Sequence, residues 1–246
     1  MRRVSAAHMA WLMGLLLVLW LPASSHAWGT LADMDAPPSA DRLSAGAGWM
    51  SLPRSPEGSH QRYGLMPALG YFRQDGWFLS TQHGAGWQTP LPGEHVVGAR
   101  AWPQWGRARQ DEGTNAPRIG PRLQAQVFAN LQLHPALWWQ SAVSQGAGAQ
   151  RHGWQAESGI STGLPTTSGW IGLGVAVTYA NAAFRRDYLG KAQDGWADWS
   201  WRLGLSHRLD SLWRVEGQLL QARTWPADDR PHQSRRLTLT LLRELP

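Results

Sequence analysis

The chain contains no cysteine. That excludes a disulfide-stapled fold, a thiolate-held zinc or iron–sulfur centre, a cysteine nucleophile and a lipid-modified N-terminal cysteine. Charge is sparse as well, at 16% of residues, where a soluble domain usually carries about a quarter. Tyrosine and phenylalanine number four each, so the aromatic content falls on 17 tryptophans. Beyond residue 27 no apolar run approaches the roughly 18 residues that mark a membrane helix. Glycine is abundant at 27 residues, and 43% of the chain is hydrophobic, too much for a disordered segment. A length of 246 residues suits a single β domain.

The N-terminus reads as an export signal. Arg2 and Arg3 precede an apolar stretch over residues 9–21, Pro22 breaks it, and Ser25-His26-Ala27 offers small residues at both positions a signal peptidase reads. The run is too short to span a bilayer, so residues 1–27 are expected to be a cleaved signal peptide. Losing its two arginines leaves 21 basic against 17 acidic residues, a charge of +4.

The remaining chain has a period of two. In residues 121–132, Leu123, Ala125, Val127, Ala129 and Leu131 alternate with Arg122, Gln124, Gln126, Phe128, Asn130 and Gln132. Alternate side chains of a strand face opposite ways, so one face is apolar and the other mostly polar. The same pattern recurs as Trp199, Trp201, Leu203, Leu205; as Ile171, Leu173, Val175, Val177, Tyr179; and as Leu237, Leu239, Leu241. Weaker alternation marks residues 63–71, 77–87, 95–105, 136–144, 152–162 and 212–222. It falters at His83, which falls on an apolar face, and at Pro103, which cannot donate to a ladder.

Ten strands of about ten residues follow, the length a tilted strand needs to cross a bilayer. The fold expected is all-β: a transmembrane antiparallel barrel of about ten strands over residues 61–246. A periplasmic arm or plug would occupy residues 28–60, and twelve strands would result if residues 43–52 formed part of another hairpin. Short and long connections alternate, as in outer-membrane barrels with short periplasmic turns and long outer loops. The hairpin at Gln74-Asp75-Gly76 then falls outside, the one connection that fits poorly. Alternation alone does not say which face points outward, so a soluble periplasmic β protein with tryptophans packed inside is the competing reading. Aromatics near strand ends favour lipid: Tyr63, Tyr71, Trp77, Trp87, Trp105, Trp154, Trp170, Tyr179, Trp213 and Trp225 are placed for two interfacial girdles.

Several short stretches resemble the MipA/OmpV family of outer-membrane proteins. Pro53-Arg54-Ser55-Pro56-Glu57-Gly58-Ser59 is similar to that family's Pro-x-Tyr-Glu-Gly-Ser element. Leu65-Met66-Pro67-Ala68-Leu69-Gly70-Tyr71 is similar to its proline-containing strand. Asp75-Gly76-Trp77-Phe78-Leu79-Ser80 and Gly84-Ala85-Gly86 fit the turn and strand that follow. Arg107-Ala108-Arg109-Gln110-Asp111 and Asp187-Tyr188-Leu189-Gly190 match two later segments. Pro56 stands where the family has Tyr, Leu189 where it has Phe, and the chain ends in Pro246 where such barrels usually end in Phe. The resemblance implies a non-catalytic scaffold in the cell outer membrane of a Gram-negative bacterium, linking a murein (peptidoglycan) synthase to a lytic transglycosylase. A small-solute porin-like channel or an adhesin-like surface-binding barrel is the alternative.

Chemistry-bearing motifs are few. His60, His83, His95, His134, His152, His207 and His232 show no metal spacing, and no Ser lies in Gly-x-Ser-x-Gly. No enzyme, metal, cofactor or nucleic-acid partner is expected. The basic balance points to lipopolysaccharide phosphates, with Arg185, Arg186 and Lys191 in a long outer loop as candidate contacts. Parity places Arg100, Arg122, Glu157, Asp198, Arg202, Arg214 and Glu216 in the lumen. There, Arg–carboxylate pairs across a ten-stranded barrel would fill the passage and leave little conductance.

Overall fold

A computed structural model describes residues 37–53, 61–93, 95–104, 122–134, 136–146, 153–189, 192–224 and 232–245. The expected signal peptide, Trp105, Trp225 and the Arg107–Asp111 motif lie outside them. Twelve antiparallel strands form a closed barrel in which each pairs with its sequence neighbours and β1 pairs with β12. They are β1 Arg42–Pro53, β2 Gln61–Phe72, β3 Trp77–Ser80, β4 Gly84–Leu91, β5 His95–Gln104, β6 Arg122–His134, β7 Leu137–Gly146, β8 Trp154–Thr166, β9 Gly169–Ala180, β10 Gly195–Arg208, β11 Trp213–Thr224 and β12 His232–Leu245. One helix, α1 Ala182–Leu189, lies between β9 and β10. Among the described residues no helix is long and apolar enough to cross a membrane.

Two changes turn ten expected strands into twelve. The segment 43–52 is present within β1, so twelve residues of the stretch read as arm, Arg42–Pro53, are barrel wall. Residues 77–87 are two strands joined by a turn at 81–83, with Trp77 opposite Trp87 and Ser80 opposite Gly84. His83 disturbed the alternation because it belongs to that turn. The extra strand also relocates the Gln74-Asp75-Gly76 turn. It now lies at the same end as Arg42, Leu245 and the brief connections 92–94, 135–136, 167–168 and 209–212. This is the short-turn end, which in outer-membrane barrels faces the periplasm, and the poor fit disappears.

The apolar face points out. Leu65, Leu79, Leu123, Val127, Val143, Ile160, Leu173, Val175, Leu203 and Leu239 are all exposed large apolar side chains. Their neighbours Gln124, Gln126, Ser144, Glu157, Thr178, Asp198, Ser200, Arg202 and Thr240 are buried. A water-soluble barrel has the opposite arrangement, so the surface is built for lipid. Tyr63, Trp154, Tyr179 and Trp196 ring the wall toward the long-loop end, with Tyr179 stacked edge-on to Trp196 at 5.6 Å. Tyr71, Trp77, Trp87 and Trp213 ring the other. Trp170 is an exception: its parity with Gly172 and Gly204 turns it inward, and a Cβ on Gly204 would lie 2.9 Å from its ring.

Small apolar clusters sit at two places. Phe78, Val96, Phe128 and Ala142 pack together inside the barrel with Phe72 against them, which accounts for Phe128 on an otherwise polar face. At the long-loop end a bulge between Trp196 and Asp198 buries Ala197, and Phe184 and Leu189 of α1 pack on it and on Ala180. Asn181 caps that helix by accepting the Phe184 N–H at 3.1 Å.

Candidate functional site

The lumen gathers most of the polar residues that parity assigns to it. Asp198 lies opposite Thr178 on β9 and Thr224 on β11, and Thr178 lies opposite Glu157 on β8. One register row therefore carries two carboxylates. Thr178 Oγ1 donates to Asp198 Oδ1 at 3.1 Å. Arg100 Nε donates to Gln126 Oε1 at 2.8 Å, and Gln126 Nε2 donates to Ser144 Oγ at 3.1 Å. The Arg100 guanidinium also covers the Trp102 ring at 4.7 Å, the geometry of a cation–π contact. Arg202 on β10 donates to Gln140 Oε1 on β7 at 2.9 Å, a chord across the two intervening strands β8 and β9. Arg100, Glu157, Asp198 and Arg202 are each at most 6% exposed, and Glu157 acts electrostatically on both Arg100 and Asp198.

Arg214 and Glu216 lie near the periplasmic end. Arg214 Nη2 pairs with Glu244 Oε1 at 2.8 Å, and its Nε lies 3.5 Å from Glu216 Oε1. These pairs run along β11 and β12 rather than across the passage, unlike the expected plug of opposed charges. Arg122 opens β6 opposite Gln104; its side chain lies outside the description. Of the loop cations, Arg185 is buried and donates to the Gln193 carbonyl at 2.8 Å, and Arg186 pairs with Asp187 at 3.1 Å. Lys191 is not described.

The same parity identifies lumen residues the charge list missed. Arg236, Thr238 and Thr240 share the inner face of β12, where Thr240 is 3% exposed, and Glu244 continues that face. Gln82, at the tip of the β3–β4 hairpin, donates to Thr240 Oγ1 at 3.1 Å. The tip of this hairpin thus reaches past β2 and β1 to β12. The only mark of this turn in the period-two pattern is the break at His83, and the reach of Gln82 to β12 has none.

Asp198 Oδ2, Gln124 Oε1 and Gln155 Oε1 are buried and accept no hydrogen bond from the described residues. Among the described residues no three His, Asp or Glu gather as a metal site requires.

No family model matches the sequence, and no curated protein matches it either. The fold does have relatives among solved structures. An outer-membrane channel from Pseudomonas putida F1 superposes with a TM-score of 0.51 at 10% identity, covering 89% of this chain and all of that one. The NanC porin (TM-score 0.45, 10% identity, covering 82% of this chain and all of that one) and the Ralstonia pickettii toluene transporter TbuX (0.41, 9%, covering 93% of each) are more distant. The chain therefore shares the closed antiparallel barrel fold of outer-membrane β-barrel proteins.

Proposed function

We propose that the protein is a non-catalytic outer-membrane channel for small solutes in a Gram-negative cell envelope. The observation that carries this reading is the lumen: a charged and polar inner face with Arg100, Gln126, Glu157, Asp198 and Arg202, inside a barrel of twelve strands rather than ten. Diameter grows with strand number, so the wider barrel leaves room that ten strands would have filled. Arg100 and Arg202, held by Gln126 and Gln140, fix positive charge at mid-height, with the carboxyl groups of Glu157 and Asp198 nearby. Fixed charge in a lumen sets which solutes pass. The test is liposome swelling with small sugars and amino acids in wild-type and Arg202→Glu protein. Swelling whose solute preference changes in the variant supports the channel; swelling no faster than empty liposomes refutes it.

A scaffold joining murein synthase and lytic transglycosylase is the second reading, and it rests on the likeness to MipA/OmpV motifs. Residues 42–53 being wall rather than arm, together with brief periplasmic turns, reduces the surface available for it. A pull-down from detergent-solubilised envelopes decides: enrichment of both enzymes would favour the scaffold.

A further inference from the structure

Among the described residues the barrel wall is not equally tall all round. β3 pairs with β2 only at Gly70, Tyr71 and Phe72, and β4 meets β5 only from Ala85–Ala101 toward the periplasm. Among the described residues no strand lies between residues 61–68 of β2 and residues 102–104 of β5. Two missing strands correspond to a gap of about 14 Å between backbones. Thr81, Gln82 and His83 form its sill. Leu65 on its edge is 76% exposed, the highest value among the exposed large apolar side chains.

Main-chain directions show that both edges suit an unpaired wall. Thr81 donates to the Leu69 carbonyl at 2.9 Å, so odd-numbered residues of β2 turn their backbone groups toward the gap. Pro67 is one of them and has no N–H to leave unpaired. Gln88 donates to the Gly76 carbonyl at 3.0 Å, toward β3, so Ala85 and Trp87 turn theirs toward β5. Their partners Ala101 and Ala99 turn theirs back toward β4, and Pro103, by alternation, has its imide nitrogen on the gap side. Proline belongs at edges where no ladder bond is required. Both faltering positions of the sequence pattern, His83 and Pro103, therefore border the same opening.

The gap joins two apolar surfaces. From Tyr63 to Leu69 every β2 residue is apolar. On the outside, a groove of about 960 Å³ runs from beside the sill along Ala85, Ala99, Ala125 and Ala156, between Trp87 and Trp154. Inside, Met66 and Ala68 continue the β2 wall onto Met50 and Leu52 of β1. Beside that wall stands Arg236, half-buried on the inner face of β12 next to Leu220. Among the described residues its side chain has neither hydrogen bond nor ion pair. It lies two strands from the β2 edge, about 10 Å away.

We infer that this gap is a lateral portal by which an amphipathic anion, its head group held at Arg236 and its apolar body in the opening, exchanges between the lumen and the outer leaflet. The inference builds on the channel reading by naming a substrate class and an exit. The test is photolabelling of the reconstituted full chain with dodecanoic acid carrying a terminal diazirine, mapped by mass spectrometry, with conductance recorded on the same preparation. Labels are expected on the rim at Leu65, Met66, Ala101 and Trp102. Arg236→Gln should lower them about tenfold, the effect of losing a hydrogen bond to a charged group, and Arg236→Lys should restore them. The uncharged dodecanol analogue should label the rim no more than the rest of the outer face. Labels spread evenly over that face and unchanged by Arg236→Gln would overturn the portal. Conductance without rim labels would leave the channel standing alone, and rim labels without conductance would do the reverse.

Discussion

Val127 shows at one residue how the surface is specified. It is 58% exposed, midway along β6, between buried Gln126 and Phe128. An arginine there would meet hydrocarbon, and Val127→Arg is expected to cost about 2–4 kcal/mol, measured as a lower urea midpoint for folding into vesicles. Asp210 acts outside the membrane, in the turn between β10 and β11. Its carboxylate accepts the Leu212 and Trp213 N–H groups at 2.7 Å each, and these bonds hold its pKa below the usual carboxylate value of 3.8. A depressed folded pKa contributes stability that is present above the unfolded value and is lost as pH falls through the folded one. Asp210→Ala should therefore lower the thermal midpoint at pH 5 to 7, and the difference from wild type should shrink below pH 4. A difference that grows on acidification would contradict this assignment.

Among the elements, the β3–β4 hairpin carries the most consequence. Gly84 opens β4 at φ +80°, and a Cβ there would strike the Ala101 carbonyl and lie 2.7 Å from Trp102 Cβ. Gly84→Ala combines a conformation L side chains avoid with that collision, so a loss of about 1–3 kcal/mol is expected in urea unfolding. Gly163→Ala, with nothing within 4 Å of its Cβ, should be near neutral. This hairpin is also where reading the sequence failed. Long strands such as β6 and β9 declared themselves because every second residue meets lipid. A four-residue strand offers two residues per face, too few for a period, so residues 77–87 looked continuous. Turn residues 81–83 carry neither Gly nor Pro to mark the break. β1 stands only as an alternative in the sequence for another reason: Gly46, Ala47 and Gly48 flatten its alternation. A Cβ on Gly46 would collide with the Leu241 carbonyl, so close packing against β12 requires that weak pattern. Of the seven lumen charges read from parity, Arg100, Glu157, Asp198 and Arg202 are buried inside, and Arg214 and Glu216 line the periplasmic end. Their hydrogen bonds, which join residues up to 62 apart in sequence, follow only from the register of twelve strands.

At the scale of the whole molecule, polarity is arranged inside out: a lipid-facing exterior, a polar and charged interior and, among the described residues, a wall lowered on one side. On the proposed channel reading this is a conduit rather than a plug: ten strands with opposed charges would be closed, whereas in twelve strands Arg214 pairs along the wall to Glu216 and Glu244. Single-channel recording in a planar bilayer, comparing wild-type with Arg202→Glu protein, measures the difference most directly. Discrete conductance steps are expected from the wild type, with a reversal potential under a salt gradient that moves toward cation preference in the variant. A silent bilayer into which folded protein has demonstrably inserted, or steps indifferent to the charge at position 202, would contradict a lumen that conducts.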